Sequence, residues 1–250
     1  MSTDPLFSLD GKTALITGGG SGIGEAMAHA LSDAGARIIL VGRRAKLLKQ
    51  ALGSRSGAVF STDLVQAGAS DTIFEFCTAE NVLPDILVNA AGINPRISAD
   101  KITREIWEDT LHLNLSVPFF LAQMFVPNMI SKGWGRIINI ASLQSQRAFP
   151  DGIAYGASKG GIVQLTRAMA EAWSGQGINV NAIGPGFFPT DLTAPVFSDP
   201  KLSAAQAAKT AIGRNGMMED LAGPTVFLAS NASRFVTGQV LYVDGGYTAK

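Results

Sequence analysis

Short apolar runs recur along the whole chain and alternate with stretches of helical spacing. The runs are 12–17 (KTALIT), 37–42 (RIILVG), 86–89 (ILVN), 136–142 (RIINIAS), 178–184 (INVNAIG) and 240–246 (VLYVDGG). Most are continuously apolar, with no sustained alternation, so they must be covered on both faces. That is the signature of strands in a parallel sheet with helices on either side. Helical patterns fall at 23–31 and near 66–79, 103–131, 153–175 and 219–229. Strands and helices taken in turn predict an α/β fold of three layers around a central parallel sheet. No linker, repeat or low-complexity stretch divides the chain, so residues 1–250 are expected to form one domain. The stretch 185–216 has no strand signal and is rich in Pro, Gly, Ala and Thr. A mobile substrate lid is expected near 187–215.

Charge and composition exclude several classes of function. Twenty acidic and twenty basic residues cancel, with no basic block, so a nucleic-acid partner is not expected. Residues 1–11 lack the basic start and apolar centre of a signal peptide. No uninterrupted apolar run reaches the roughly 18–20 residues of a membrane span, so no membrane partner is expected. The single cysteine, Cys77, cannot pair within the chain, which favours a reducing, cytoplasmic location. His29 and His112 form no metal-ligand pattern, and no catalytic metal is expected.

The glycines mark where chemistry belongs. The loop 17–24 (TGGGSGIG) joins the first strand to the first helix. Gly18, Gly22 and Gly24 allow a sharp turn and close approach to a pyrophosphate. Ser21 and Ile23 stand at the helix N-terminus, whose free N–H groups and partial positive charge suit phosphate. An acidic residue at the end of the second strand, about 20 residues beyond the loop, would select NAD. This chain has Arg43 and Arg44 there instead. A guanidinium suits a 2′-phosphate, so Arg43 points to NADP in preference to NAD.

Tyr155 and Lys159 lie four apart in a helical stretch and share a face. A lysine cation one turn away is expected to lower the tyrosine pKa toward useful acid–base chemistry. Ser142 ends the 136–142 strand, where α/β sheets place ligand-contacting groups. Asn114 is a polar residue among Leu111, Leu113 and Leu115, and it also fits a buried, hydrogen-bonded amide.

Together these residues resemble the short-chain dehydrogenase/reductase family over nearly the whole chain. Thr17–Gly24 is similar to its glycine motif, and Asn114, Ser142, Tyr155 and Lys159 to its catalytic tetrad in order and spacing. Asn89-Ala90-Ala91-Gly92 resembles its Asn-Ala-Gly motif, with alanine for the second asparagine. Asp63-Leu64 resembles the pair beside the adenine, and Pro185-Gly186 with Thr190 the segment at the nicotinamide. The resemblance implies a Rossmann-type fold. It implies that Tyr155 exchanges a proton with the substrate oxygen while hydride moves to or from the nicotinamide. It also implies that Ser142 orients that oxygen, that Lys159 binds the nicotinamide ribose and that Asn114 holds a water. Residues 89, 90 and 92 would then bind cofactor with 63, 64, 185, 186 and 190.

The flanks 6–12 and 232–238 resemble members acting on gluconate and deoxygluconate, while 213–216 (GRNG) carries asparagine where those members have tryptophan. The expected substrate is a sugar acid, polyol or related hydroxy compound. Arg96, Gln144 and Arg147 are polar candidates for reading it, each also readable as a surface loop residue. Phe149, Phe187 and Phe188 would make part of the pocket apolar. A 3-oxoacyl thioester (acyl-carrier-protein) reductase uses the same tetrad and is the alternative; a non-catalytic cofactor-binding protein is a third reading. The resemblance further implies a homotetramer, paired through 103–131 and 153–175, with 240–243 available to a second interface.

Overall fold

A computed structural model describes residues 5–250. Among these, seven strands form the sheet, where the apolar runs mark six. They are β1 (Thr13–Thr17), β2 (Arg37–Gly42), β3 (Gly57–Ser61), β4 (Ile86–Asn89), β5 (Gly135–Ile140), β6 (Ile178–Pro185) and β7 (Val240–Val243). All neighbours pair parallel in the order β3-β2-β1-β4-β5-β6-β7. The extra strand, β3, lies at an edge and is only partly buried along its length. An edge strand needs no run of large apolar residues, and GAVFS has none.

The helices are α1 (Gly22–Asp33), α2 (Ala45–Leu52), α3 (Ala69–Ala79), α4 (Arg104–Leu111), α5 (Val117–Ser131), α6 (Ile153–Trp173), α7 (Ala194–Phe197), α8 (Pro200–Ala207) and α9 (Ala222–Ala229). The patterns also leave unmarked α7 and α8, which lie in the stretch expected to be a lid, and α2. Helix α2 has eight residues, buries only Leu48 and Ala51, and has no side-chain cap.

Successive strand residues face opposite layers, and both layers are covered, which is why most residues of the runs are apolar. Ile16, Ile38 and Leu40 pack with Met27 and Leu31 of α1 and Leu228 of α9. Leu15, Ile39 and Ile137 pack on the other face with Ile73 of α3, Phe125 of α5 and Met169 of α6. Burying each such side chain stabilises the fold by roughly 1.5–3 kcal/mol.

The helical stretch 103–131 is not one regular helix. A single π-helical turn, His112–Ser116, separates α4 from α5. Such widened turns are frequent at functional sites, and Asn114 sits inside this one. The run Arg104–Ser131 is long and apolar enough, at mean hydropathy 1.3, to pass as a membrane span. Its side chains Val117, Leu121, Phe125 and Met129 instead fill one core layer.

Strand order reverses at β1 and β4. The first connections lead toward β3 and the later ones toward β7, so the loops leaving β1 and β4 part and open a crevice at the carboxyl ends of the strands.

Candidate active site

A cleft of about 770 Å³ occupies that crevice. The loop after β1 supplies Gly18, Ser21, Gly22, Ile23 and Gly24 to its wall; β2 and β3 lead into Arg43, Arg44, Asp63 and Leu64. Ala90 and Gly92 follow β4, Ser142 and Gln144 follow β5, and Pro185, Gly186 and Thr190 come from the end of β6 and the loop beyond it. Tyr155, Lys159 and Arg96 complete the wall. Asn89 is the exception. Its amide turns beneath the cleft and donates to Asn139 Oδ1 at 2.9 Å, and Asn139 in turn donates to Thr166 Oγ1 at 3.0 Å. Its side chain ties β4 to β5 and α6.

The glycine loop is a cradle with no room for side chains. A Cβ on Gly24 would lie 2.3 Å from the Gly18 carbonyl oxygen, and Gly18 itself has φ +69° with Ala91 N 2.9 Å from any added Cβ. Ser21 starts α1 in extended conformation, yet its side chain caps nothing. The first-turn N–H groups of this twelve-residue helix are therefore free to meet an anion. These features fit the pyrophosphate of a dinucleotide.

The two arginines divide differently from expectation. Arg43 lies 3.9 Å from Asp63 Oδ2, with both side chains partly in solvent. It is Arg44 that reaches over the glycine loop, donating to Ser21 Oγ at 2.7 Å and to Asp191 Oδ2 at 3.0 Å. Sequence reasoning singled out Arg43. In an extended segment adjacent side chains point in opposite directions, and nothing in the sequence says which of the pair faces the loop.

Tyr155 and Lys159 share the cleft face of α6. Lys159 Nζ donates to the Ile140 carbonyl at 2.6 Å and stands 5.6 Å from the centre of the Tyr155 ring. Ser142 Oγ accepts from Gln144 N at 3.1 Å, and Ser145 Oγ donates to the Lys159 carbonyl at 2.7 Å. The Ser142 loop and α6 are thereby held together. Asn114 is 1% exposed. Its amide accepts from Ile93 N and donates to the Ile93 carbonyl, both at 2.9 Å, and donates to Ser158 Oγ at 3.0 Å. Ser158 Oγ donates on to the Tyr155 carbonyl at 2.7 Å. Asn114 is thus the buried, satisfied amide that its apolar setting suggests, and it also braces the loop after β4 against α6. Ser158 had not been singled out; a serine one residue before the lysine carries no sequence signal of its own.

Burial pushes the Tyr155 phenol above its ordinary pKa, while a hydrogen bond with Ser142 and the charge of Arg96 pull it back. Burial also lowers Lys159, to about 8. The expected cause is therefore corrected. The charge that favours the phenolate is that of Arg96, while Lys159, lowered by desolvation, remains a cation at neutral pH.

Arg96 adopts φ +51° and donates to the Leu192 carbonyl at 3.1 Å, so it ties the loop after β4 to the segment beyond β6. Phe149, Phe187 and Phe188 line the cleft, as Gln144 does. Phe188 is 2% exposed and packs against Gly216, where a Cβ would lie 2.5 Å from the ring. Arg147 is absent from the wall and donates instead to the carbonyls of Thr248 and Lys250.

Residues 18–248 match a short-chain dehydrogenase/reductase family model described as "Enoyl-(Acyl carrier protein) reductase". The chain is 39% identical over 253 residues, 99% of each protein, to gluconate 5-dehydrogenase of Gluconobacter oxydans. It is 41% identical over 250 residues to 2-dehydro-3-deoxy-D-gluconate 5-dehydrogenase of Bacillus subtilis, covering 98% of this chain and 97% of that one. Its fold is similar, at TM-score 0.93 and 36% identity over 98% of each chain, to the crystal structure of a gluconate 5-dehydrogenase from Burkholderia cenocepacia in complex with NADP and tartrate.

Proposed function

The chain belongs to the short-chain dehydrogenase/reductase family, and from that premise we propose that it interconverts a secondary alcohol and a ketone on a sugar acid or polyol, using NADP in preference to NAD. The observation that carries this reading is the meeting of Tyr155, Lys159 and Ser142 with an open phosphate cradle in one cleft. The family model's description names an acyl-carrier-protein reductase. The full-length relatives just given are named for sugar acids, and they are the better guide to substrate.

In this reading the glycine loop and the α1 N-terminus hold the pyrophosphate. Asp63, Leu64 and Ala90 border the adenosine end, and Gly92, Pro185, Gly186 and Thr190 the nicotinamide end. Arg44, with Ser21, faces the ribose 2′-phosphate, and Arg43 flanks it. When bound, the nicotinamide supplies or accepts the hydride. Ser142 Oγ hydrogen-bonds the reacting oxygen and fixes it beside Tyr155. In reduction the Tyr155 phenol, kept protonated by burial, gives its proton to that oxygen. In oxidation the phenol must first lose its proton, which the charge of Arg96 assists. Lys159 binds the nicotinamide ribose, and Asn114 keeps α6 in register with the loop after β4. Arg96 and Gln144 read the substrate's polar groups. The segment 187–215 acts as the lid, tethered by Arg96 to Leu192 and by Arg44 to Asp191.

The assembly that suits this reading is a homotetramer. Trp107 of α4 and Phe120 of α5 are exposed on the helical face expected to pair subunits, and light scattering tests this. The cytoplasm suits a chain whose one cysteine is buried, its thiol raised to about 11 by desolvation.

The deciding experiment is a screen of D-gluconate, deoxygluconates and polyols against both oxidised nicotinamides. Reduced NADP should form with at least one of them, and faster than reduced NAD. No turnover with any of them would refute the substrate class.

A further inference from the structure

We propose that Tyr247, which does not itself line the cleft, is a positioning residue that sets the shape of its substrate end and so which carbon skeletons fit. The proposal rests on the dehydrogenase reading above. Tyr247 is 7% exposed. Its ring centre lies 6.4 Å from that of Phe149 and 6.0 Å from that of Phe187, and those two rings are 6.3 Å apart. Phe149 and Phe187 form cleft wall, one after β5 and the other after β6. Phe149 stands nine residues beyond β5, too far for the strand to fix its ring, and Phe187 follows β6 closely; the third ring, behind both, ties the two together. The Tyr247 hydroxyl also approaches Gln206 Oε1 at 3.4 Å, and Gln206 is the contribution of α8 to the same wall.

The segment that carries Tyr247 is firmly built. Asp244 accepts from Gly246 N and Thr248 N, both at 2.9 Å, and from Thr248 Oγ1 at 2.7 Å. The Gly245 carbonyl accepts from Ala211 N at 2.8 Å and Ile212 N at 3.1 Å, and Lys250 Nζ donates to the Thr210 carbonyl at 2.9 Å. Arg147 reaches across from the loop that begins at Ser142 and donates to the Thr248 carbonyl at 3.3 Å. Residues 244–250 therefore staple the catalytic loop, the loop after β6 and the end of the lid to one another. Tyr247 is the side chain through which that staple meets the substrate wall.

The test compares Tyr247→Ala with Tyr247→Phe in the full chain, using D-gluconate and a shorter tetritol as substrates. Tyr247→Ala should raise KM about tenfold or more, since the cavity left behind an aromatic ring frees the two phenylalanines. It should change the ratio of kcat/KM between the two compounds and leave NADP affinity within about twofold. Tyr247→Phe keeps the ring and should stay within about threefold of wild type. An unchanged KM and ratio in Tyr247→Ala, a parallel loss of kcat and NADP affinity, or a Phe variant as impaired as the Ala variant would each overturn the proposal. If wild type oxidises neither compound, the substrate reading fails, and the positioning role is read separately by trypsin cleavage at the exposed Lys201 and Lys209. Cleavage should quicken in Tyr247→Ala and not in Tyr247→Phe; equal rates in all three proteins would overturn it.

Discussion

The two ends of the cleft are built by different means. At the catalytic end Asn114 and Lys159 are 1% and 4% exposed and are bonded to backbone at 2.6–2.9 Å. Their positions are set by β5, α6 and a π-helical turn, elements locked into the core. At the substrate end Phe149, Phe187 and Gln206 stand on loops and a short helix. They meet through ring contacts of 6.0–6.4 Å and one hydrogen bond of 3.4 Å. In the proposed reading, rigid elements fix the reaction, and loops braced by a distant segment fix the substrate. One scaffold can therefore keep its chemistry while its choice of skeleton changes.

This contrast can be broken first at its rigid end. Tyr155→Phe should lower turnover about a thousandfold, within the usual range for a lost general acid–base, with dinucleotide affinity in a fluorescence titration nearly unchanged. Retained turnover would remove Tyr155 from the chemistry. Lys159→Met should lower turnover about a hundredfold and at the same time stabilise the cofactor-free protein. The folded pKa, about 8, lies below the usual 10.5. The native state thus binds fewer protons than the unfolded one between those values, and stability rises with pH across that window. At neutral pH the buried ammonium costs as much as about 3 kcal/mol. Denaturant melts of Lys159→Met should show that gain and a flatter pH slope; a loss of stability at pH 7 would contradict it.

The adenosine end gives a smaller, selective effect. Arg44→Ala should weaken NADP about tenfold more than NAD, the size of one lost charge-assisted hydrogen bond, and Arg43→Ala should do less. Equal losses for both dinucleotides in Arg44→Ala would show that it does not face the 2′-phosphate. The smallest effect belongs to Arg96. Its charge lowers Tyr155, so Arg96→Gln should move the alkaline rise of the oxidation rate to higher pH. A profile displaced to lower pH would reverse the assigned sign.

Much of the catalytic end was legible in the sequence, and little of the substrate end. Gly18 and Gly24 are dictated by backbone contacts of 2.3–2.9 Å to any added Cβ, so the residue type itself announces the loop. Tyr155 and Lys159 declare a shared face by their spacing. By contrast, β3 and α2 have five and eight residues, too short for their apolar positions to stand out as elements. The π-helical turn around Asn114 shows only in hydrogen bonding. Arg44 and Arg43 are alike until the direction of the chain is known. Tyr247 acts on rings some 60 and 98 residues earlier, a distance that no local pattern spans. The charge of Arg96 on Tyr155 carries no sequence signal, because the two lie 59 residues apart.

The most direct test uses D-gluconate deuterated on its carbinol carbons, incubated with the wild-type protein and oxidised NADP. Mass spectrometry of the nucleotide product should show one deuterium in each reduced NADP, carried over from the carbinol carbon. Reduced NADP without label, or none formed at all, would contradict hydride transfer from a sugar acid at this site.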